Sequence, residues 1–107
     1  MANSFKNAGV AIGTSRTTLY TCPSATEAVI HALYVSNIDG TNDADATIEI
    51  TIDGGSTYRH IGKTVPVPAD STLILDKPIN LEAGDILALT ASAAGDLEAV
   101  VAVLEIT

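Results

Sequence analysis

Residues 97–107, which read LEAVVAVLEIT, are apolar and β-branched almost to the last position. A chain end frays unless it is hydrogen-bonded into a sheet, so this run predicts a paired terminal strand. Residues 78–92 form a second strand-like run, and the small residues 93–96 separate the two. Together they predict a C-terminal hairpin that closes a small β-domain without a tail.

The rest of the chain consists of short strand-like runs between turn signals. They cover residues 5–12, 16–21, 27–37, 46–53, 57–63, 64–70 and 71–75. Glycine and proline stand between several of these runs, where tight turns and strand ends use them. About eight short strands at this spacing predict an all-β fold, namely a small antiparallel, jelly-roll-like β-sandwich. The length of 107 residues suits a single domain, residues 1–107.

The longest predicted strand, residues 27–37, reads EAVIHALYVSN. A helix over residues 25–34 competes with it, but the β-branched and aromatic content favours a strand. Strict alternation divides its side chains into two largely apolar faces: Val29, His31, Leu33 and Val35 on one, and Ile30, Ala32 and Tyr34 on the other. Two apolar faces indicate a central strand that is covered on both sides.

Residues 46–53 alternate more clearly and predict a half-exposed antiparallel strand. One face carries Ile48, Ile50 and Ile52, and the other carries Thr47, Glu49, Thr51 and Asp53. The glycines of residues 53–56 (DGGS) predict a hairpin turn, because they supply positive φ angles without strain. Residues 64–70 contain two prolines and therefore suit the edge of a sheet.

The charge pattern excludes two classes of partner. The net charge is −8, and the five basic residues are scattered at Lys6, Arg16, Arg59, Lys63 and Lys77. Nucleic acids and anionic membranes require a positive surface, so neither is an expected partner. Charged residues make up only 17% of the chain, which leaves little surface for water and favours an assembled homo-oligomer.

Residues 1–6 lack the apolar segment of a signal peptide, and no run is long and apolar enough for a membrane helix. We therefore expect synthesis in the cytoplasm. The single cysteine, Cys22, excludes an internal disulfide but leaves an intermolecular one open.

Several residues could carry chemistry, and each has a plainer interpretation. Cys22 lies at a predicted strand end and is expected to be a buried thiol rather than a nucleophile. His31 is expected in the core or an interface and His60 on the surface, and two isolated histidines do not make a zinc site. We therefore expect no catalytic, cofactor-binding or metal-binding residues.

Carboxylates cluster in residues 39–45, where Asp39, Asn42, Asp43 and Asp45 could attract calcium, but their spacing does not match an EF-hand. A solvated loop is the preferred interpretation. Glu49 with Asp53, and Glu82 with Asp85, could form acid–base pairs as in glycosidases, but tryptophan is absent and aromatics are few.

Two stretches resemble a known class of protein. Residues 16–30 (RTTLYTCPSATEAVI) resemble an opening of the form T-x-Y-T-x-P, and residues 81–87 (LEAGDIL) followed by residues 103–106 resemble the matching close. Together they resemble small β-structured virion proteins of tailed bacteriophages. The resemblance implies a structural role in the virion, after synthesis in the host cytoplasm, without catalytic residues. Because that family usually has alanine at the position of Cys22, it also implies that the thiol has no function.

The leading hypothesis is a capsid decoration or cement protein that binds the major capsid protein or other virion proteins. A closed oligomer, with a trimer favoured, would suit symmetric positions on the shell. A tail, neck or baseplate component is the first alternative, and a host-surface or carbohydrate-binding β-sandwich is the second. Residues 1–13 are either an anchoring segment or the first strand; as an anchor, residues 1–7 would be needed for particle binding but not for folding.

Overall fold

A computed structural model describes residues 2–107 of the chain. These residues form nine strands and no helix, so none of them lies in a helix that could cross a membrane. The strands are β1 (Asn3–Ala11), β2 (Thr17–Thr21), β3 (Glu27–Asn37), β4 (Ala44–Thr51), β5 (Tyr58–Val67), β6 (Thr72–Leu75), β7 (Ile79–Leu81), β8 (Ile86–Ala91) and β9 (Leu97–Ile106).

The strands form two antiparallel sheets. Sheet A has the order β1-β9-β3-β6, and β7 also pairs with β3; sheet B has the order β2-β8-β4-β5. Since β6 pairs with the second half of β3 and β7 with its first half, these two short strands share one edge position. Two packed sheets with four strand positions each make a jelly roll. The predicted all-β, jelly-roll-like sandwich is confirmed.

The predicted C-terminal hairpin is wrong. β8 pairs with β2 and β4 in sheet B, whereas β9 pairs with β1 and β3 in sheet A. Residues 92–96 therefore carry the chain from one sheet to the other. Both strands are apolar because each lies in the middle of its own sheet, and periodicity within a strand does not reveal which neighbour it pairs with.

The hairpin predicted at residues 53–56 does form, between β4 and β5. Gly54 and Gly55 have φ angles of +77° and +107°, which side chains strongly disfavour. β5 continues through residues 64–67 as the edge strand of sheet B, so Pro66 lies at an edge as predicted. The proline removes a donor at a position where no further strand needs it.

The core lies between the sheets and is made of aliphatic side chains. Its largest fully buried members are Ile12, Ile30, Leu33, Ile48, Leu81, Leu87, Leu89, Leu97, Val35, Val67, Val101 and Val103. Burying each of these side chains contributes about 1.5 to 3 kcal/mol. Among the described residues no aromatic side chain is fully buried, and Tyr20 packs against the core from its border.

β3 departs from the alternation predicted for it. Its register against β9 shifts between Ile30 and Ala32, so His31 is the extra residue of a β-bulge. Beyond the bulge the inward positions are Leu33 and Val35, and His31 is exposed rather than in the core. The strand is central, but within this chain only its inner face is covered.

β4 carries Ile48 and Ile50 toward the core, whereas Ile52 lies beyond the strand and is exposed. Glu49 and Thr51, predicted on an exposed face, are buried. Thr51 accepts a hydrogen bond from the Ile86 amide at 3.0 Å through its hydroxyl, which satisfies it inside the fold.

Two segments differ in detail from their predicted roles. Residues 78–92, predicted as one strand-like run, form two strands, β7 and β8; a turn at residues 82–85, with Gly84 at a φ of +87°, divides them. At the other end of the sequence, residues 3–11 form the edge strand β1 along the whole of β9. Met1 lies outside the described residues.

Candidate assembly surface

The outer face of sheet A is the main candidate for a functional surface. Cross-strand register places the outward side chains of β1, β9, β3 and β6 side by side: Phe5 is aligned with Leu104 and Val29, and Val100 with Tyr34 and Ile74. We call this surface the apolar face. Its apolar members are Phe5, Val29, Ala32, Tyr34, Ile74, Val100, Ala102, Leu104 and Ile106.

Large side chains of the apolar face are open to solvent. The exposed fractions are 80% for Phe5, 54% for Ile74, 48% for Val100 and 40% for Tyr34. Single exposed apolar side chains are common on any protein, but contiguous ones across four strands are not. Such a patch marks a surface that another molecule covers.

Phe5 and His31 meet above β9. Their rings stack with centroids 6.3 Å apart and planes inclined by 26°. Phe5 comes from β1, where it is aligned with Leu104, and His31 comes from the bulge of β3, so the two strands on either side of β9 supply the rings. The bulge in β3 thus turns His31 onto the apolar face rather than into the core, where periodicity places it.

The charged residues of the apolar face lie at its two ends. Glu27 begins β3 at one end, and Glu98 lies near the start of β9 at the other. Lys6, on the neighbouring edge strand, reaches Glu105 at 3.2 Å on the opposite side of the sheet. Along β1, β9 and β3 the polar residues of the face between Glu27 and Glu98 are uncharged or histidine, so this part of the face can lose water without burying a fixed charge; Asp76 and Lys77 lie at the edge, between β6 and β7.

Sheet B presents a different outer surface, built around Glu49. The Arg16 guanidinium donates to both Glu49 oxygens at 3.2 and 3.1 Å and lies 3.8 Å over the Tyr58 ring. His60 Nε2 is 3.7 Å from the same carboxylate. The ion pair raises the pKa of Arg16. We call Arg16 and Glu49 the charged lid of sheet B. Because the Arg16 guanidinium covers and neutralises the Glu49 carboxylate, the glutamate can be buried on the outer face of its strand.

A second carboxylate, Glu105, links the two sheets. It accepts a 2.6 Å hydrogen bond from the Tyr20 hydroxyl of β2 and pairs with Lys6 of β1. The Tyr20 hydrogen bond is the largest cause that lowers the pKa of Glu105, followed by the lysine. Burial and the same carboxylate raise the pKa of Tyr20. The contact fastens β2 of sheet B to β9 of sheet A.

The structure separates the residues singled out by the sequence. Cys22 is 1% exposed, its thiol donates to the Thr26 carbonyl at 3.3 Å, and burial raises its pKa, so the predicted buried thiol is confirmed. His31 lies on sheet A and His60 on sheet B. No group of three or more metal-ligating side chains occurs within residues 2–107.

The acidic loop after β3 uses its carboxylates to hold itself together. Asp39 accepts hydrogen bonds from the backbone and side chains of Thr41 and Asn42 at 2.8–3.1 Å, which lowers its pKa strongly. Asp43 caps the Ala69 amide at 3.0 Å. These oxygens are occupied by internal donors, as in ordinary Asx turns.

The apolar face is the feature that sequence reasoning missed. Both alternating faces of residues 27–37 read as apolar, and that pattern predicted a strand covered on both sides. Only the three-dimensional arrangement shows that β1, β3 and β6 place further apolar side chains beside the outer half of β9.

Comparison with known proteins adds the fold but no family. No protein-family model matches the chain, and no curated protein matches it. Among solved structures, one is similar over 99% of this chain and 87% of its own, with a TM-score of 0.59 and 15% identity; it comes from work on disulfide-linked pili that form Bacillus endospore appendages.

Two further structures show the same fold. A chain of the acid-stable capsid of the Helicobacter pylori bacteriophage KHP30 matches with a TM-score of 0.54 and 11% identity, covering 98% of this chain and 87% of that one. The TNF protein Eiger from S. frugiperda matches with a TM-score of 0.51 and 11% identity, covering 96% and 93%. At these identities the likeness establishes the jelly-roll fold.

Proposed function

We propose that this protein is a non-enzymatic structural component of a bacteriophage virion, which decorates and stabilises the capsid as a homo-oligomer. The observation that carries the proposal is the apolar face. A chain that exposes a contiguous apolar surface on one side of a sheet is built to be covered by protein. The opposite sheet, with its charged lid of Arg16 and Glu49, suits exposure to water.

Two of the similar structures belong to assemblies of many chains, a phage capsid and a pilus. The third, Eiger, shares the same fold, so the fold by itself does not select a function. The resemblance of residues 16–30 and 81–87 to virion proteins favours a virion over a pilus. The buried Cys22 argues against a disulfide-linked fibre, because its thiol is inaccessible to another subunit.

The low content of charged residues favours a homo-oligomer, and a trimer would suit three-fold positions on an icosahedral shell. The apolar face requires only that copies meet through it. The native mass of the purified chain, measured by light scattering over a range of concentrations, tests whether the chain associates with itself.

The decisive experiment for the virion role is to count copies of this chain in gradient-purified particles made from its native genetic context. Hundreds of copies per particle, with reduced heat stability of particles that lack the chain, would support capsid decoration. Tens of copies or fewer would favour the tail, neck or baseplate alternative. Absence from the particles would contradict the proposal.

A further inference from the structure

The apolar face carries a projection and a depression on the same edge strand. Phe5 projects from β1, and four residues later Gly9 contributes no side chain. A hollow of about 340 Å³ lies there, lined by Gly9, Val10, Ala11, Glu98, Ala99 and Val100. Both features face outward, because Phe5 and Gly9 are aligned with Leu104 and Val100 of β9.

The spacing of the two features suits a two-fold axis. Four residues of antiparallel strand span about 14 Å, and Asn7 lies midway between them. Consider a two-fold axis that is parallel to the sheet, perpendicular to its strands and at the level of Asn7. It stacks the apolar face of a second copy on that of the first. It also brings Phe5 of each copy to the level of Gly9 of the other. Each Phe5 then lies opposite the hollow of the other copy, which makes an isologous contact.

The area available agrees with a stable pair. β9 has ten residues, or about 34 Å of strand, and four strand positions span about 19 Å. The face therefore covers roughly 600 Å² per copy, close to the roughly 800 Å² per partner of a standard interface. Glu27 and Glu98 fall at the ends of this area, where the rim of an interface stays hydrated.

We propose that a second copy of this chain covers the apolar face in a two-fold arrangement, with Phe5 of each copy seated in the Gly9 hollow of the other. The proposal rests on the homo-oligomeric role inferred above and names the surface that serves it. It replaces the trimer, which was favoured by the symmetry of an icosahedral shell, with a dimer.

Two single variants test the contact from its two sides. Phe5→Ala removes the projection, and Gly9→Leu fills the hollow. A Cβ on Gly9 would lie 3.5 Å from the Ala99 carbonyl oxygen and 3.7 Å from Val100, which is ordinary contact, so the subunit can still fold. Each variant is expected to raise the dissociation constant at least tenfold in sedimentation or light scattering. Ile52→Ala, at an exposed isoleucine outside the face, is the control and should leave the dissociation constant unchanged.

Mixing the two variants gives the sharper result. A mixed dimer has one copy of each variant. One of its two contacts is native, because Phe5 of the Gly9→Leu copy meets Gly9 of the Phe5→Ala copy. The other contact places the small side chain at position 5 opposite the large side chain at position 9. We expect the mixture to associate where neither variant does alone. A role of Phe5 confined to its own subunit, such as stacking on His31, would give no recovery.

Three outcomes would overturn the inference: a wild-type chain that is monomeric at all concentrations, a trimer, or an oligomer that both variants leave intact. None of these three outcomes bears on whether the chain is present in the virion. The count of copies per particle therefore tests the virion role independently.

Discussion

Glu105 shows how a single residue joins the two sheets. Its carboxylate meets Tyr20 from sheet B and Lys6 from the edge of sheet A. Tyr20→Phe removes one hydrogen bond to a charged acceptor and should lower the free energy of unfolding by about 1 to 2 kcal/mol at pH 7. Urea denaturation measures the loss. Tyr58→Phe, whose hydroxyl makes no hydrogen bond within residues 2–107, is the control.

The same contact predicts a dependence on pH. Because folding lowers the pKa of Glu105 below its ordinary value of 4.5, its contribution to stability is present above that pH and is lost as the pH falls through the folded-state pKa. The difference between wild type and Tyr20→Phe should therefore shrink as the pH is lowered from about 7 to below the ordinary value of 4.5. A difference that stays constant over this range would contradict the assignment.

Residues whose environment follows from their own strand were predictable, and residues that depend on distant partners were not. Cys22, at a strand end before proline, was expected to be buried and is. Glu49 was expected on an exposed face, but Arg16, far away in sequence, covers it. Of the two positions expected for His31, the core is wrong, because a bulge shifts the alternation by one residue, and no local signal marks the bulge.

At the scale of elements, β9 is the strand on which both surfaces of sheet A depend. Val101 points into the core and is fully buried, whereas Val100 points to the apolar face. Val101→Asp should prevent folding, since it buries an unpaired charge. Val100→Asp should leave the subunit folded, as seen by circular dichroism, and should weaken self-association. Equal effects of the two substitutions would contradict the assignment of the faces.

The position of β1 alters what truncation is expected to do. As an anchor, residues 1–7 could be removed without unfolding the protein, but residues 3–7 pair with residues 102–106 of β9 and bring Lys6 to Glu105. Their removal would expose the edge of β9, so we expect a lower melting temperature as well as weaker association. Unchanged melting would show that the segment is dispensable for the fold.

Strand positions were easier to predict than strand partners. The pattern in residues 27–37 coincides with β3, and the glycines of residues 53–56 correctly predicted the β4–β5 hairpin. The C-terminal hairpin failed because two consecutive apolar strands belong to different sheets. Hairpin turns leave a local signal, whereas crossings between sheets depend on contacts distant in sequence.

For the whole molecule, the excess of negative charge opposes association through the apolar face. Copies that each carry a net charge of −8 repel one another, and salt screens this repulsion. Self-association should therefore strengthen as the salt concentration rises from about 0.02 to 0.5 M, a range over which the Debye length falls several-fold. An interface formed by opposite charges would weaken instead, and light scattering at the two salt concentrations distinguishes these outcomes.

The pairing of β1 with β9 also determines how early during synthesis sheet A can form. Asn3 is aligned with Ile106, so β1 is synthesised about a hundred residues before the strand with which it pairs. At about 5–20 residues per second, a ribosome needs about 5 to 20 s to add the residues between them. During that interval the sheet lacks the strand that separates β1 from β3. The complete sheet can therefore form only after residues 97–106 have been made, and until then β1 and β3 lack the strand that pairs with both of them.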